Sequence, residues 1–393
     1  MITVAQALHL VRQNATPSTR VETVFVDDAL GRTLATDVHA PLALPPFRQS
    51  IMDGYALRRH AGPTYAVVGE IKTGDASDLV LAPGEAVRIF TGAQLPDSAD
   101  AVVMQEHVRA AGRQIQLEKP VPPGQHIRRA GAQLAAGDLT LQAGETLHPA
   151  GIGLLKSMGY QTVEVTGQPR VSVIVTGNEL TPPGTALEPG KIYESNGGVI
   201  RAALRQRGIE AAPVQLVRDS LAATETTIAA AFDRSDLVLI SGGISVGDYD
   251  FVGTALRRLG VEQLFYKVRQ KPGKPLYFGK RNNTYVFALP GNPASTLTCL
   301  YVYAFPLLDG MTGRSDGGLL RFQLPLAHDY ENPFGRALFL KARVSGNRVD
   351  VLNLQNSAMV LSFARANALV YLPLGATRVR RGDLVETLLL PTV

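Results

Sequence analysis

The stretch from Asp236 to Ala304 limits the fold more than any other part of this chain. It reads DLVLISGGISVGDYDFV, then QKPGKPLYFG, then VFALPGNPASTLTCLYVYA. Two short apolar runs, Asp236 to Ser241 and Thr284 to Leu289, read as buried strands. Each breaks into a Gly-rich turn that opens a helical pattern. That is the layout of a parallel α/β sheet.

The turns carry the chemistry. Ser241, Gly242, Gly243, Ser245 and Gly247 offer hydroxyls and closely approachable backbone, and Asp248 and Asp250 follow at once. Lys271 and Lys274 bracket a Pro-Gly turn. Pro290-Gly291-Asn292-Pro293 leads into a helix with Asn292 as N-cap and Pro293 at N1. Free helix N-terminal N–H groups and lysines bind anions, and paired carboxylates bind a hard divalent cation, so phosphate with magnesium is the joint ligand this pattern suits.

The alternation begins near Arg170. Val171 to Val175 is a strand, Asn196 to Arg207 a helix stopped by Gly208, Ala212 to Val217 a strand, Ala222 to Arg234 a helix and Leu237 to Ile240 a strand. A helix near Val252 to Leu259 and a strand near Leu264 to Val268 follow. Strands alternating with helices imply right-handed crossovers and a doubly wound sheet. Glu179, Asp219, Asp248, Asp250, Lys271, Lys274 and Asn292 all fall just past strand carboxyl ends, where open α/β sheets bind ligands. One such residue is ordinary loop polarity; so many on one edge is not.

The rest of the chain has a different rhythm. Thr3 and Gln6 have capping-box spacing ahead of Val4, Leu8 and Val11, which gives a short N-terminal helix. Gln49 to about Asp138 is β-rich, with short strands between Gly, Pro and Asp turns. Within it, Asp53-Gly54 on its own reads as a hairpin turn. Pro149 to Met158 is a helix with Pro at N1 and Gly159 at its stop, and it could pack back on the N-terminal helix, leaving the β-rich part as an insertion. Beyond Gly310 only strands remain, as in a small β-barrel or sandwich.

At 393 residues, two to four domains are expected. The net charge of +5 comes mainly from dispersed arginines, and no nucleic-acid motif accompanies it. No apolar run is long enough to span a bilayer and the N-terminus lacks a secretory pattern, so the expected location is the cytoplasm, with neither membrane nor nucleic acid as partner. A single cysteine excludes an internal disulfide, and Cys299 in its apolar run reads as a core residue. Seven scattered histidines argue against zinc or iron. Of nine lysines, Lys267, Lys271, Lys274 and Lys280 crowd into one segment.

The motifs SIMDGYA, RIFTGAQLPDSADAVVMQE, TGNEL, SGGISVGDYD, KPGKP and LPGNPAS, in this order, resemble the molybdopterin molybdenumtransferases of the MoeA type, relatives of the gephyrin E domain and its plant counterpart. The similarity covers nearly the whole chain. It implies a multidomain α/β plus β fold: a discontinuous N-terminal domain (1 to 39 with 139 to 166), an inserted β-domain (40 to 138), an α/β molybdopterin-binding domain (169 to 316) and a C-terminal β-barrel (317 to 393). It also implies a homodimer with clefts completed by both subunits, partnered with a molybdopterin adenylyltransferase and recipient molybdoenzymes.

The implied reaction inserts molybdate into adenylylated molybdopterin, with Mg²⁺-dependent cleavage of the adenylate and release of AMP. By resemblance, Asp53 and Thr91 come from the inserted domain, and Glu179, Asp219, Asp248 and Asp250 serve as metal, nucleotide or water-positioning groups. Ser241, Gly242, Gly243, Ser245, Gly247 and the run Pro290, Gly291, Asn292, Pro293 would contact the pterin or its phosphate. Lys271, Lys274, Pro275, Arg336 and Ser357 or Ser362 would form the molybdate pocket. Two departures stand out: Ala130-Gly131-Ala132-Gln133 follows Arg129 where the family commonly has Arg-Gly-Glu-Asp, and Asn178 stands where TGDEL has Asp. An amide keeps an oxygen donor but forfeits charge. A tungstate-handling paralogue and a non-catalytic pterin-binding scaffold are therefore alternative readings, and a pterin adenylyltransferase is another because that activity sits on a similar α/β domain. The adenylyltransferase reading is disfavoured because its TGGTG loop is SGGIS here.

Overall fold

The computed structural model describes residues 1–76, 78–244, 250–314 and 317–391. At its centre lies a six-stranded sheet. Its strands are β1 (Val171–Thr176), β2 (Gln215–Val217), β3 (Leu237–Ser241), β4 (Glu262–Tyr266), β5 (Tyr277–Arg281) and β6 (Thr284–Leu289), in the spatial order β2-β1-β3-β6-β5-β4. The first four in that order run parallel, as expected. β5 runs antiparallel between β6 and β4, so the sheet is mixed. The reversal has a local cause: Arg281 pairs with Thr284 across the two-residue turn Asn282-Asn283, with Asn282 at φ 52°.

Every residue of β1 and β3 is buried, which accounts for their continuous apolar runs. Alternate residues feed two different cores. Leu237 and Leu239 join Ile200, Leu204, Phe287 and Leu300 on one face. Val238 and Ile240 join Ile228, Phe232, Val252 and Leu256 on the other. The helices responsible are α1 (Asn196–Arg205), α2 (Leu221–Arg234), α3 (Phe251–Arg258) and α4 (Pro293–Cys299). Cys299 is buried in the first of these cores, and burial pushes its thiol up.

The N-terminal helix Val4–Gln13 carries the full capping box: the Gln6 amide donates to Thr3 Oγ1, and the Thr3 amide donates to Gln6 Oε1. Val21–Phe25 pairs antiparallel with Thr162–Thr166, and Leu155 of helix Pro149–Ser157 shares a core with Leu34 and Val165. The chain therefore leaves this unit and returns to it. The excursion contains a second six-stranded sheet running from Ala101–Met104 at one edge to Val108–Ala111 at the other. Helix Pro149–Ser157 packs with this returning unit, in a core separate from the one holding Val4, Leu8 and Val11.

The C-terminal strands Arg321–Pro325, Leu384–Leu389, Ala368–Leu372, Ala337–Ser345 and Arg348–Val351 pair in that sequence. A bridge from Leu326 to Val349 brings the last back to the first, so the strands close on themselves as a small barrel. Gln270–Lys271, from the central region, adds to this sheet in parallel with Ala337–Leu338. That pairing seats Lys271 between the two regions.

Candidate functional site

Three turns at the carboxyl end of the central sheet meet. Gly242 and Gly243, after β3, have φ of 92° and 61°, and a Cβ on Gly242 would lie 2.4 Å from the Thr176 carbonyl oxygen. Only glycine lets this turn lie so close to the end of β1. A Cβ on Gly291, after β6, would lie 3.6 Å from Gly242 Cα, so these turns are in contact. Asn196 at the start of α1 binds them together: its Nδ2 donates to Ser241 Oγ at 2.9 Å and to the Gly291 carbonyl at 2.7 Å.

Around these turns opens a cavity of about 640 Å³. Glu179, Glu194 and Asp219 line it on the acidic side. Ser241, Gly242, Gly243, Pro275 and the run Pro290 to Pro293 also line it, with Ala358 from the C-terminal region. Asn178 and Asp219 are locked reciprocally, since the Asn178 amide donates to Asp219 Oδ2 and the Asp219 amide donates to Asn178 Oδ1, both at 3.1 Å. The amide at 178 thus supplies the oxygen acceptor that a carboxylate would supply, without its charge.

A second cavity, of about 600 Å³, is lined by Lys271, Phe334, Gln355, Asn356 and Ser357 among others. Lys271 Nζ sits 3.2 Å from the centre of the Phe334 ring. Burial, and next the positive charge of Arg336, lower the Lys271 pKa. Pro275 lines the first cavity and Lys271 the second, so the KPGKP turn borders both. On the opposite side the border is a clasp: Asn292 Nδ2 donates to Ser357 Oγ at 2.9 Å, and the Ala294 amide donates to the Ser357 carbonyl at 3.1 Å. Asn292 occupies the N-cap position with Pro293 following, as expected, but its side chain makes this clasp and no cap bond.

The other expected residues fall as follows. Asp250 caps α3, accepting from the Gly253 amide at 2.9 Å. Lys274 ends the Pro-Gly turn, where its carbonyl accepts from Val268 and Leu276. Ser362 is buried and its hydroxyl donates to the Leu354 and Met359 carbonyls. Ser245, Gly247 and Asp248 lie outside the described residues. Asp53 Oδ1 accepts from both the amide (2.7 Å) and the hydroxyl (2.8 Å) of Thr91, and these bonds hold its carboxyl below the usual range. Asp53 is no hairpin tip: the strand before it, Gln49–Ser50, pairs with Ile127–Arg128, while Gly54–Leu57 pairs with Glu85–Ile89 and Ala101–Met104. Among the described residues, none of the inserted region lines either cavity, and no three His, Cys, Asp or Glu side chains gather as a metal cage. Sequence reasoning had Asn196 only as a helix start and did not single out Glu194 or Tyr193, all of which line the larger cavity.

The chain matches three family models in order: "MoeA N-terminal region (domain I and II)" over residues 2–159, "Probable molybdopterin binding domain" over 172–310, and "MoeA C-terminal region (domain IV)" over 323–390. It is 33% identical over 379 residues to a molybdopterin molybdenumtransferase of Staphylococcus aureus, covering 93% of this chain and 90% of that protein. With the Staphylococcus epidermidis enzyme of the same name it shares 32% over 378 residues, with the same coverage. Among solved structures, a molybdopterin biosynthesis MoeA protein from Pyrococcus horikoshii superposes with a TM-score of 0.84 at 32% identity, covering 99% of both chains. A second structure from that organism gives 0.84 at 27% identity, over 99% of this chain and all of that one. This chain belongs to the MoeA family of molybdopterin molybdenumtransferases, enzymes of molybdenum cofactor biosynthesis.

Proposed function

We propose that the protein inserts molybdate into the dithiolene of adenylylated molybdopterin, cleaving the adenylate and releasing AMP. The observation that carries this reading is the pair of adjoining cavities with shared borders, one lined by Glu179, Glu194 and Asp219, the other by Lys271 and Glu331, with the charge of Arg336 reaching Lys271. The larger, where backbone turns and α4 converge, suits the pterin and its pyrophosphate. The smaller suits a compact dianion, which Lys271 on its wall would attract as a point charge, with Lys274 and Arg336 assigned to the same pocket by the resemblance.

The donor set fits Mg²⁺ in the way this ion is usually held, through one or two carboxylates plus substrate phosphates and not by an all-protein cage. Asp219 and Glu179 on the cavity wall are the donors we assign to it, joined by Asp250 and, by the resemblance alone, Asp248. When bound there, the ion screens the pyrophosphate charge. The turns at Ser241 to Gly243 and Pro290 to Pro293 hold the pterin end, and the Asn292 clasp sets its distance from the anion pocket.

The domain division stated above is the frame we propose, and with it a homodimer in which Asp53 and Thr91 of one subunit complete the cavity of the other. Their place outside both cavities of their own chain supports that arrangement. The adenylylated substrate would come from an adenylyltransferase and the product would pass to molybdoenzymes, in the cytoplasm.

The test is AMP release from adenylylated molybdopterin with Mg²⁺, titrating molybdate and tungstate side by side. Molybdate-dependent AMP release is expected. Tight pterin binding without release would replace this reading with that of a binding scaffold.

A further inference from the structure

One charged side chain near the site has no place in the reaction as proposed. Lys341, on the strand Ala337–Ser345, is 2% exposed, and it is the only lysine among the described residues buried to this degree. Its ammonium has no carboxylate partner within hydrogen-bond reach among the described residues. Instead Nζ donates to three backbone carbonyls: Leu354 at 2.9 Å, Asn356 at 3.0 Å and Met359 at 3.4 Å. Three donors meet three acceptors, so the group is fully satisfied. Burying an ammonium costs several kcal/mol unless it is bonded in this way, and a Leu or Met of similar volume would fill the same space without that cost.

The carbonyls it gathers belong to one loop. That loop turns at Leu354, which has φ 64°, and is tied again by Gln355, whose Oε1 accepts from the Lys341 amide and whose Nε2 donates to the Lys341 carbonyl. Ser362 Oγ donates to two of the same carbonyls. The loop is also the wall between the two cavities: Gln355, Asn356 and Ser357 face the smaller one, Ala358 faces the larger, and Ser357 holds the clasp with Asn292.

We infer that Lys341 is a positioning residue for the reaction, fixing the 354–359 loop as the partition that gives the anion pocket its shape. It touches no substrate and acts through Ser357 and Asn356. The inference rests on the proposed function, in that the anion in the smaller cavity is molybdate. The larger cavity is built mainly by central-sheet turns, so its ligand should feel the loss less.

Lys341→Met keeps the stem and removes the ammonium, and Lys341→Arg keeps the charge on a planar fork that cannot meet three convergent carbonyls. Each full-length variant is assayed for AMP release with molybdate varied at saturating pterin substrate, for pterin affinity by calorimetry, and for folding by circular dichroism. In Lys341→Met the KM for molybdate rises about tenfold or more, while pterin affinity changes less than about threefold; in Lys341→Arg the KM rises about three- to fivefold. A purely structural lysine would lower the active fraction, and so kcat, at unchanged KM, and that result in folded Lys341→Met overturns the inference. If Lys341→Met does not fold, Lys341→Arg decides: a raised molybdate KM supports the inference and a wild-type KM refutes it. Absence of AMP release in the wild-type protein would instead refute the proposed function, and then molybdate binding measured directly on the same proteins takes the place of KM.

Discussion

Asn196→Ala removes the side chain that ties the turn after β3 to the turn after β6. Two hydrogen bonds disappear, to Ser241 Oγ and to the Gly291 carbonyl, each contributing about 1 kcal/mol net. The Gly291 carbonyl belongs to an exposed residue, so water can replace the lost donor there. Ser241 is fully buried: its hydroxyl still donates toward the Pro290 carbonyl at 3.4 Å, but its oxygen loses the Asn196 donor, and an unsatisfied buried acceptor costs a further ~1–3 kcal/mol. Part of that is offset because Asn196 Oδ1 is itself buried without a partner, and alanine deletes it. The expected loss is about 1–3 kcal/mol in urea denaturation. Pterin affinity by calorimetry should fall about tenfold, equivalent to about 1.4 kcal/mol, as the two turns lose their spacing. Asn196→Asp is the sharper probe. The Gly291 carbonyl can only accept, so a carboxylate oxygen in place of Nδ2 sets acceptor against acceptor, and Asp should be worse than Ala despite being nearly isosteric. An Asn196→Asp protein that binds the pterin as wild type does, or an Asn196→Ala loss under about 0.5 kcal/mol, the scale of an ordinary surface change, would refute the reasoning.

Gly273→Ala should cost about 2–4 kcal/mol and weaken molybdate binding, because a Cβ there meets Cys299 Sγ at 2.4 Å in a backbone with φ 85° between the two site lysines; a wild-type urea midpoint would contradict this. Asp236, despite the opposing effect of burial, has its carboxyl lowered by hydrogen bonds and charge from Arg170 and by the charge of Arg20. A depressed carboxyl contributes stability that is complete above its ordinary value of 3.8 and fades as pH falls through the folded value. The stability gap between wild type and Asp236→Asn should therefore shrink below pH 3.8, and a gap independent of pH would rule the linkage out. Mixing inactive Asp53→Ala and Lys274→Ala proteins under subunit exchange should restore AMP release through the one cleft with both residues intact; no recovery, with exchange shown by native mass spectrometry, would place Asp53 on the same subunit's site.

The parts of the fold that could be read from the chain are those whose cause is local. β1 and β3 are buried on both faces and so are apolar throughout. The helices Pro149–Ser157 and Asn196–Arg205 stop close before Gly159 and Gly208, which take φ of 83° and 71°. β5 escaped notice because YFGKR has no run of its own and becomes a strand only by lying between β6 and β4. At Gly279 a Cβ would come within 2.7 Å of the Glu262 carbonyl, so its glycine marks close strand approach, which looks in sequence like one more turn.

The site divides along the same line. Turn residues past strand ends could be named because strand ends could be located, and Glu179, Asp219, Ser241 to Gly243 and Pro290 to Pro293 do share one cavity. Side chains whose role depends on a distant partner could not. Asn292 shows why: a residue before Pro at a helix start reads as an N-cap, which asks its side-chain oxygen to accept from the helix amides. Here the backbone carbonyl of Asn292 accepts from Thr296 as the first helical bond, and the side-chain amide points elsewhere as a donor to Ser357. The cap is worth about 1 kcal/mol, as is the hydrogen bond that replaces it, so local energetics alone do not choose between them. The choice is made by Ser357 arriving on a loop that Lys341 holds in place, and that loop lies 65 residues further along the chain.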